Sequence, residues 1–208
     1  MTSWKDRPLV ILDTETTGIE HGQHRVIELA WLVWQEGVVL EQHSMLLQPY
    51  RSLEPKITEI TGITTEMLRH AIDFSEGGAQ LEKDIRRAAA LVAYNAPFDI
   101  GHLRHEVLQS GRNDWISCVP ALDPLVWVRH FDKYVRGKKL TQIADYLGIA
   151  VPGDPHRALT DCHLCAGVMA HYMPRLLEDL GELAAWQIDK RAEQEADFQR
   201  WLARQKAS

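Results

Sequence analysis

The feature that most constrains this chain is the apolar run Leu9-Val10-Ile11-Leu12, which ends in Asp13-Thr14-Glu15. The run reads as a buried strand from Pro8 to Thr14. Side chains two apart on a strand share a face, so Asp13 and Glu15 stand side by side at its end. Paired carboxylates repel each other unless a cation compensates them, and the pair therefore outlines a metal site.

Two later stretches supply what such a site still lacks. Tyr94-Asn95-Ala96-Pro97-Phe98-Asp99 follows a second short apolar run, and His156-Arg157-Ala158-Leu159-Thr160-Asp161 follows a Pro/Gly-rich loop. Together they add two carboxylates and one imidazole. Hard oxygen ligands suit magnesium or manganese, and a neutral histidine near pH 7 can take a proton from an attacking water. The set reads as two-metal phosphodiester hydrolysis.

The order acid-x-acid, Asn-Ala-x-Phe-Asp, His-x-Ala-x-x-Asp resembles the DEDDh 3′-to-5′ exonucleases, the group of the epsilon subunit of DNA polymerase III, exonuclease X and ribonuclease T. The resemblance covers roughly residues 8 to 173. It implies that Asp13, Glu15, Asp99 and Asp161 hold two divalent cations, Mg²⁺ or Mn²⁺, and that His156 is the general base. It also implies a ribonuclease H-like α/β fold and a nucleotide pocket near Thr16, Thr61, Ile63, Asn95 and Phe98. The chain departs from the family pattern twice: Tyr94 replaces a frequent histidine, and Thr61-Gly62-Ile63 stands where the epsilon subunit has His-Gly-Ile. Neither position is among the five catalytic residues.

At 208 residues and 45% hydrophobic content the chain can bury a substantial core, and one catalytic domain (1–173) with a helical extension (174–208) is expected. A net charge of −6 argues against bulk attraction to a polyanion, leaving local basic patches and bound metals to recruit nucleic acid. Three cysteines, no basic-then-apolar leader and no long apolar run predict a soluble, reduced, cytoplasmic protein without a membrane partner.

Strands are expected at Val26–Trp34 and Val38–Leu47 around the turn Gln35-Glu36-Gly37, an antiparallel meander with the first strand, and at Leu91–Tyr94 and Trp115–Ser117. Helices are expected at Pro55–Thr61, Ser75–Ala90, Pro97–Gln109, Pro120–Phe131, Lys139–Leu147 and Arg157–Tyr172. These make a mixed β-sheet flanked by α-helices.

Each motif also has a plainer reading. Asp99, two residues after Pro97, suits a helix first turn. His156 follows Pro155, which places it at a loop-to-helix junction, where a capping or surface histidine is the alternative. Gly18 permits positive φ in a turn, Asn95 suits a helix cap, and Phe98 is either core or a stacking surface for a terminal base. Cys162-His163-Leu164-Cys165 has no second Cys-x-x-Cys to complete a zinc site and reads as helix packing. The cluster Arg129, His130, Lys133, Arg136, Lys138, Lys139 is either a solvated loop or a phosphate-backbone contact. The extension either packs back on the domain or supplies a homodimer or partner helix.

The leading reading is a 3′-to-5′ exonuclease that releases nucleoside monophosphates from single-stranded or frayed DNA 3′ ends, standalone or with a DNA polymerase as partner. An RNA-trimming exonuclease of ribonuclease T type shares the same residues. A weakly active polymerase-associated binding subunit is disfavoured because all five catalytic residue types are present.

Overall fold

The computed structural model describes residues 3–150, 153 and 157–206, so His156 lies outside the described residues. Five strands, β1 (Leu9–Thr16), β2 (Val26–Gln35), β3 (Val38–Leu46), β4 (Ala90–Val92) and β5 (Ala121–Leu122), form one sheet in the order β3-β2-β1-β4-β5. The first three make the expected antiparallel meander, and β4 and β5 join it in parallel. Glu36 and Gly37, at φ 48° and 87°, close the β2–β3 hairpin with two left-handed residues, the conformation that matches strand twist.

Parallel strands need crossovers, and helices provide them. α1 (Pro55–Thr61) and α2 (Phe74–Arg87) precede β4, and α3 (Ala96–Gln109) precedes β5. α4 (Pro124–Phe131), α5 (Leu140–Tyr146), α6 (Ala158–Tyr172) and α7 (Leu180–Lys206) follow. The pleat sorts β1 between two cores. Leu9 and Ile11 pack with Val126, Ala158 and Cys162 on one face, while Val10 and Leu12 pack with Leu81, Ile85 and Leu103 on the other. Asp13 and Glu15 continue the first series and so face α6. No helix among the described residues is long and apolar enough to cross a membrane.

Several expected boundaries move. The helix expected over Ser75–Ala90 ends at Arg87, because Ala89 N donates to Pro8 O at 2.8 Å and Ala90 pairs with Leu9 in the sheet. Alanine's helix preference is outweighed there by tertiary pairing. That pairing also moves the strand expected at Leu91–Tyr94 to Ala90–Val92. The strand expected at Trp115–Ser117 is a 3₁₀ turn, Ile116–Cys118, since Asp114 Oδ1 accepts from the Ile116 and Ser117 amides at 3.1 and 3.3 Å. The fifth strand instead occupies Ala121–Leu122, and α4 starts at Pro124 rather than Pro120, with Asp123 as its N-cap.

Gly18 does not take positive φ. It is needed for space: a Cβ there would lie 2.4 Å from the His24 ring. Asn95 is at the N-cap of α3 but makes no side-chain cap and instead adopts φ 68°. The cap comes from Asp123, which accepts from the Asn95 and Ala96 amides at 2.9 and 3.1 Å. The inner half of the C-terminal extension packs back on the domain, with Leu183 fully buried in the same core as Trp127 and Tyr172, while Phe198 and Trp201 stay half-exposed.

Candidate active site

The end of β1 and the first turn of α6 meet where the two expected acid motifs converge. One carboxylate oxygen each from Asp13, Glu15 and Asp161 lies within 4.8 Å of the others. Asp161 reaches this point because its amide bonds to Arg157 O at 3.1 Å, setting it in the first turn of α6 above the β1 face that carries Asp13 and Glu15. Asp99 approaches from the first turn of α3 on the other face. It is buried, and its Oδ1 accepts from Thr14 N at 3.0 Å and Thr14 Oγ at 2.7 Å. Thr14 thus links the fourth acid to the strand between the other two.

Two residues not singled out in the sequence complete the electrostatics. Glu28 on β2 pairs with Glu15 in the ladder and is buried. It is held by Arg157 Nη2 at 2.7 Å, by the Ala158 amide at 3.2 Å and by Ser44 Oγ at 3.3 Å. The available signal was an acid inside the apolar run Val26–Trp34, at a position that only a paired charge tolerates.

Burial, followed by the neighbouring charges of Asp161 and Glu28, pushes the Glu15 carboxyl up to about 8. Burial lifts Asp99 to about 7 against the Thr14 hydrogen bonds that oppose it. Asp13 is raised well above the carboxylate range by burial and then by Asp99, Asp161 and Glu15. Carboxyls that resist ionisation together, all hard oxygen donors at short mutual distance, fit a divalent cation.

The expected nucleotide-pocket residues are placed unevenly. Phe98 is half-buried beside Asp99, its ring 4.8 Å from that of His102 and its carbonyl 3.1 Å from His21 Nε2. Asn95 is exposed one turn earlier, and Thr16 is buried next to Glu15, its Oγ donating to Gly18 O at 2.7 Å. Thr61 and Ile63 are buried, Ile63 in a small cluster with Ile27 and Leu68. Tyr94, Asn95, Leu125, Arg129, Lys138, Lys139 and Leu140 line a groove of about 470 Å³. Tyr94 braces it by donating to Lys138 O at 2.8 Å. The Lys138 ammonium is turned inward onto Asp132 O at 2.9 Å.

Cys162 and Cys165 are buried core residues, Cys162 Sγ donating to Ala30 O at 3.3 Å. A second grouping, Glu41, His43 and Asp84, lies on β3 and α2. There Asp84 is already engaged by Trp31 Nε1 at 3.0 Å and by the Arg87 guanidinium.

Residues 10–169 match the exonuclease (RNase T) family. The PolC-type DNA polymerase III of Thermotoga maritima is 30% identical over 193 residues, covering 91% of this chain but only 13% of that protein's length. Exonuclease X in complex with 5′-overhanging duplex DNA superposes with a TM-score of 0.69 at 21% identity, over 86% of this chain and 99% of the other. The nuclease domain of 3′hExo bound to rAMP does so with a TM-score of 0.70 at 18% identity, over 84% and 95%. Likeness at that identity speaks for the ribonuclease H-like fold, and the sequence match speaks for descent. The chain belongs to the exonuclease (RNase T) family.

Proposed function

We propose that this chain is a metal-dependent 3′-to-5′ exonuclease that removes nucleoside monophosphates from DNA ends. The observation that carries the reading is the convergence of Asp13, Glu15 and Asp161 within 4.8 Å, with Asp99 tied to the same strand through Thr14. Two divalent cations, Mg²⁺ or Mn²⁺, held by these four acids would supply Lewis-acid activation and neutralise charge on the scissile phosphate. Asp13, which feels the charges of Asp99, Asp161 and Glu15, would be one of the carboxylates holding the two cations.

His156 takes the proton from the attacking water as its oxygen bonds to phosphorus. The bond from phosphorus to the 3′ oxygen of the preceding nucleotide breaks, and that oxygen acquires a proton. In this reading Phe98, Asn95 and Thr16 bound the terminal nucleotide, and Thr61 and Ile63 belong to the same pocket. The groove with Arg129 and Lys139 takes the phosphate backbone, whose charge the acidic chain must meet locally. The polymerase relatives support a DNA polymerase as partner.

The test incubates the full chain with 5′-labelled single-stranded DNA, duplexes with matched or mismatched 3′ ends, and RNA, with Mg²⁺ or Mn²⁺. A ladder shortening by single nucleotides from the 3′ end, faster on DNA, is expected. Release from the 5′ end, or no metal-dependent product, would sink the reading. Preference for RNA would favour the second reading, an RNA 3′-end trimming enzyme, which the rAMP bound by the similar 3′hExo domain supports.

A further inference from the structure

The C-terminal helix lies beyond the segment matched by the family, yet its inner face meets the frame of the candidate site with polar groups as well as apolar ones. Gln187 is buried. Its Oε1 accepts from Asp123 N at 2.8 Å and Trp127 Nε1 at 3.1 Å, and its Nε2 donates to Ala121 O at 3.1 Å. One turn on, Arg191 Nη2 donates to Asp123 Oδ2 at 2.6 Å.

Asp123 is itself buried and makes one carboxylate serve two helices. It accepts from the Leu125 amide at 2.9 Å to start α4, and from the Asn95 and Ala96 amides at 2.9 and 3.1 Å to start α3. Asn95 holds a left-handed φ that L-residues occupy at a cost, so its conformation depends on these bonds. Asn95 O then accepts from Phe98 N at 3.0 Å, and the next residue is Asp99, whose carboxylate docks on Thr14. Hydrogen bonds run from α7 through Asp123 and Asn95 to Phe98, and the peptide link to the next residue completes the path to the fourth acid.

We infer that Arg191 and Gln187 are positioning residues that act through Asp123 on the α3 first turn and so on Asp99. This rests on the reading of Asp99 as a cation ligand. Truncating Arg191 leaves the buried Asp123 carboxylate short of a charged partner and frees the turn that orients Asp99. Groups hydrogen-bonded directly to a metal ligand typically alter cation affinity by about 10–100-fold when removed, and partners further out should act at the low end of that range.

The experiment uses the full chain as Arg191→Met, Arg191→Lys and Gln187→Leu, with the exposed Ile188→Ala on the same helix as control. Amide hydrogen exchange of residues 93–99 is measured without metal, and Mn²⁺ binding is measured by calorimetry without substrate. Arg191→Met is expected to speed exchange at Asn95 and Ala96 and to weaken Mn²⁺ binding by about tenfold. The β2–β3 hairpin should exchange as in the parent, Arg191→Lys should recover part of both effects, and Ile188→Ala should change neither. Unchanged protection at Asn95 and Ala96 would overturn the inference. So would a uniform rise in exchange across the chain, including in the milder Arg191→Lys, since that is loss of stability rather than of position. If Asp99→Asn binds Mn²⁺ as the parent does, the cation-site reading fails; local exchange in Arg191→Met then still reports whether α7 holds the turn.

Discussion

Glu15→Gln should make the metal-free protein more stable, and increasingly so as pH rises. In the folded chain the Glu15 carboxyl sits at about 8 instead of 4.5, so folding must take up a proton between those values, and stability falls through that window. At about 1.36 kcal/mol per unit, the ceiling on the penalty above pH 8 is about 5 kcal/mol. Glu15 is only partly buried, and water reaching it lowers the expected gain to about 2 kcal/mol. Glutamine keeps the shape and carries no charge, so the difference should be near zero at pH 4 and full by pH 8.5. For a chain of this size that is a rise of about 4–8 °C in Tm at the alkaline end. Thermal melts of both proteins with chelator present, at pH 4, 6 and 8.5, measure it. A difference that does not grow with pH, or a variant that melts below the parent at pH 8.5, would refute the claim that crowded carboxyls destabilise the empty site.

In the converse experiment, Mg²⁺ should raise the Tm of the parent more at pH 8 than at pH 5, because cation binding requires the ionised acids, and chelation should abolish hydrolysis reversibly; equal shifts at both pH values would count against the site. Arg157→Met should cost about 2 kcal/mol in denaturant melts by leaving buried Glu28 without its charged partner, the Ala158 and Ser44 hydrogen bonds remaining. The double variant Glu28→Gln, Arg157→Met should lose less, and additive losses would show that the pair is not coupled. His156→Ala should lose most hydrolysis while keeping binding to a non-hydrolysable DNA end, and the parent rate should rise with pH as the imidazole gives up its proton. Cleavage by that variant at the parent rate would transfer the base role elsewhere.

Local patterns settled a good part of this molecule. The aliphatic run into Asp13 and Glu15 specified a strand with two acids on one face, because strand side chains alternate whatever surrounds them. Proline at Pro55 and Pro97 and the aliphatic spacing of residues 158–172 placed helices near their observed ends, since capping and periodicity act within a few residues. Long-range partners decided the remainder. Ala90, which continues an alanine run after a helix, enters the sheet because Leu9 offers it a ladder partner and Pro8 O takes the Ala89 amide. Ala121 and Leu122 are too few to read as a strand until β4 pairs with them. Glu28 with Arg157, and Asp123 with Arg191, are ion pairs between residues 129 and 68 positions apart. No local pattern relates such residues, because only folding buries each carboxylate and brings a partly exposed arginine within reach to balance its charge.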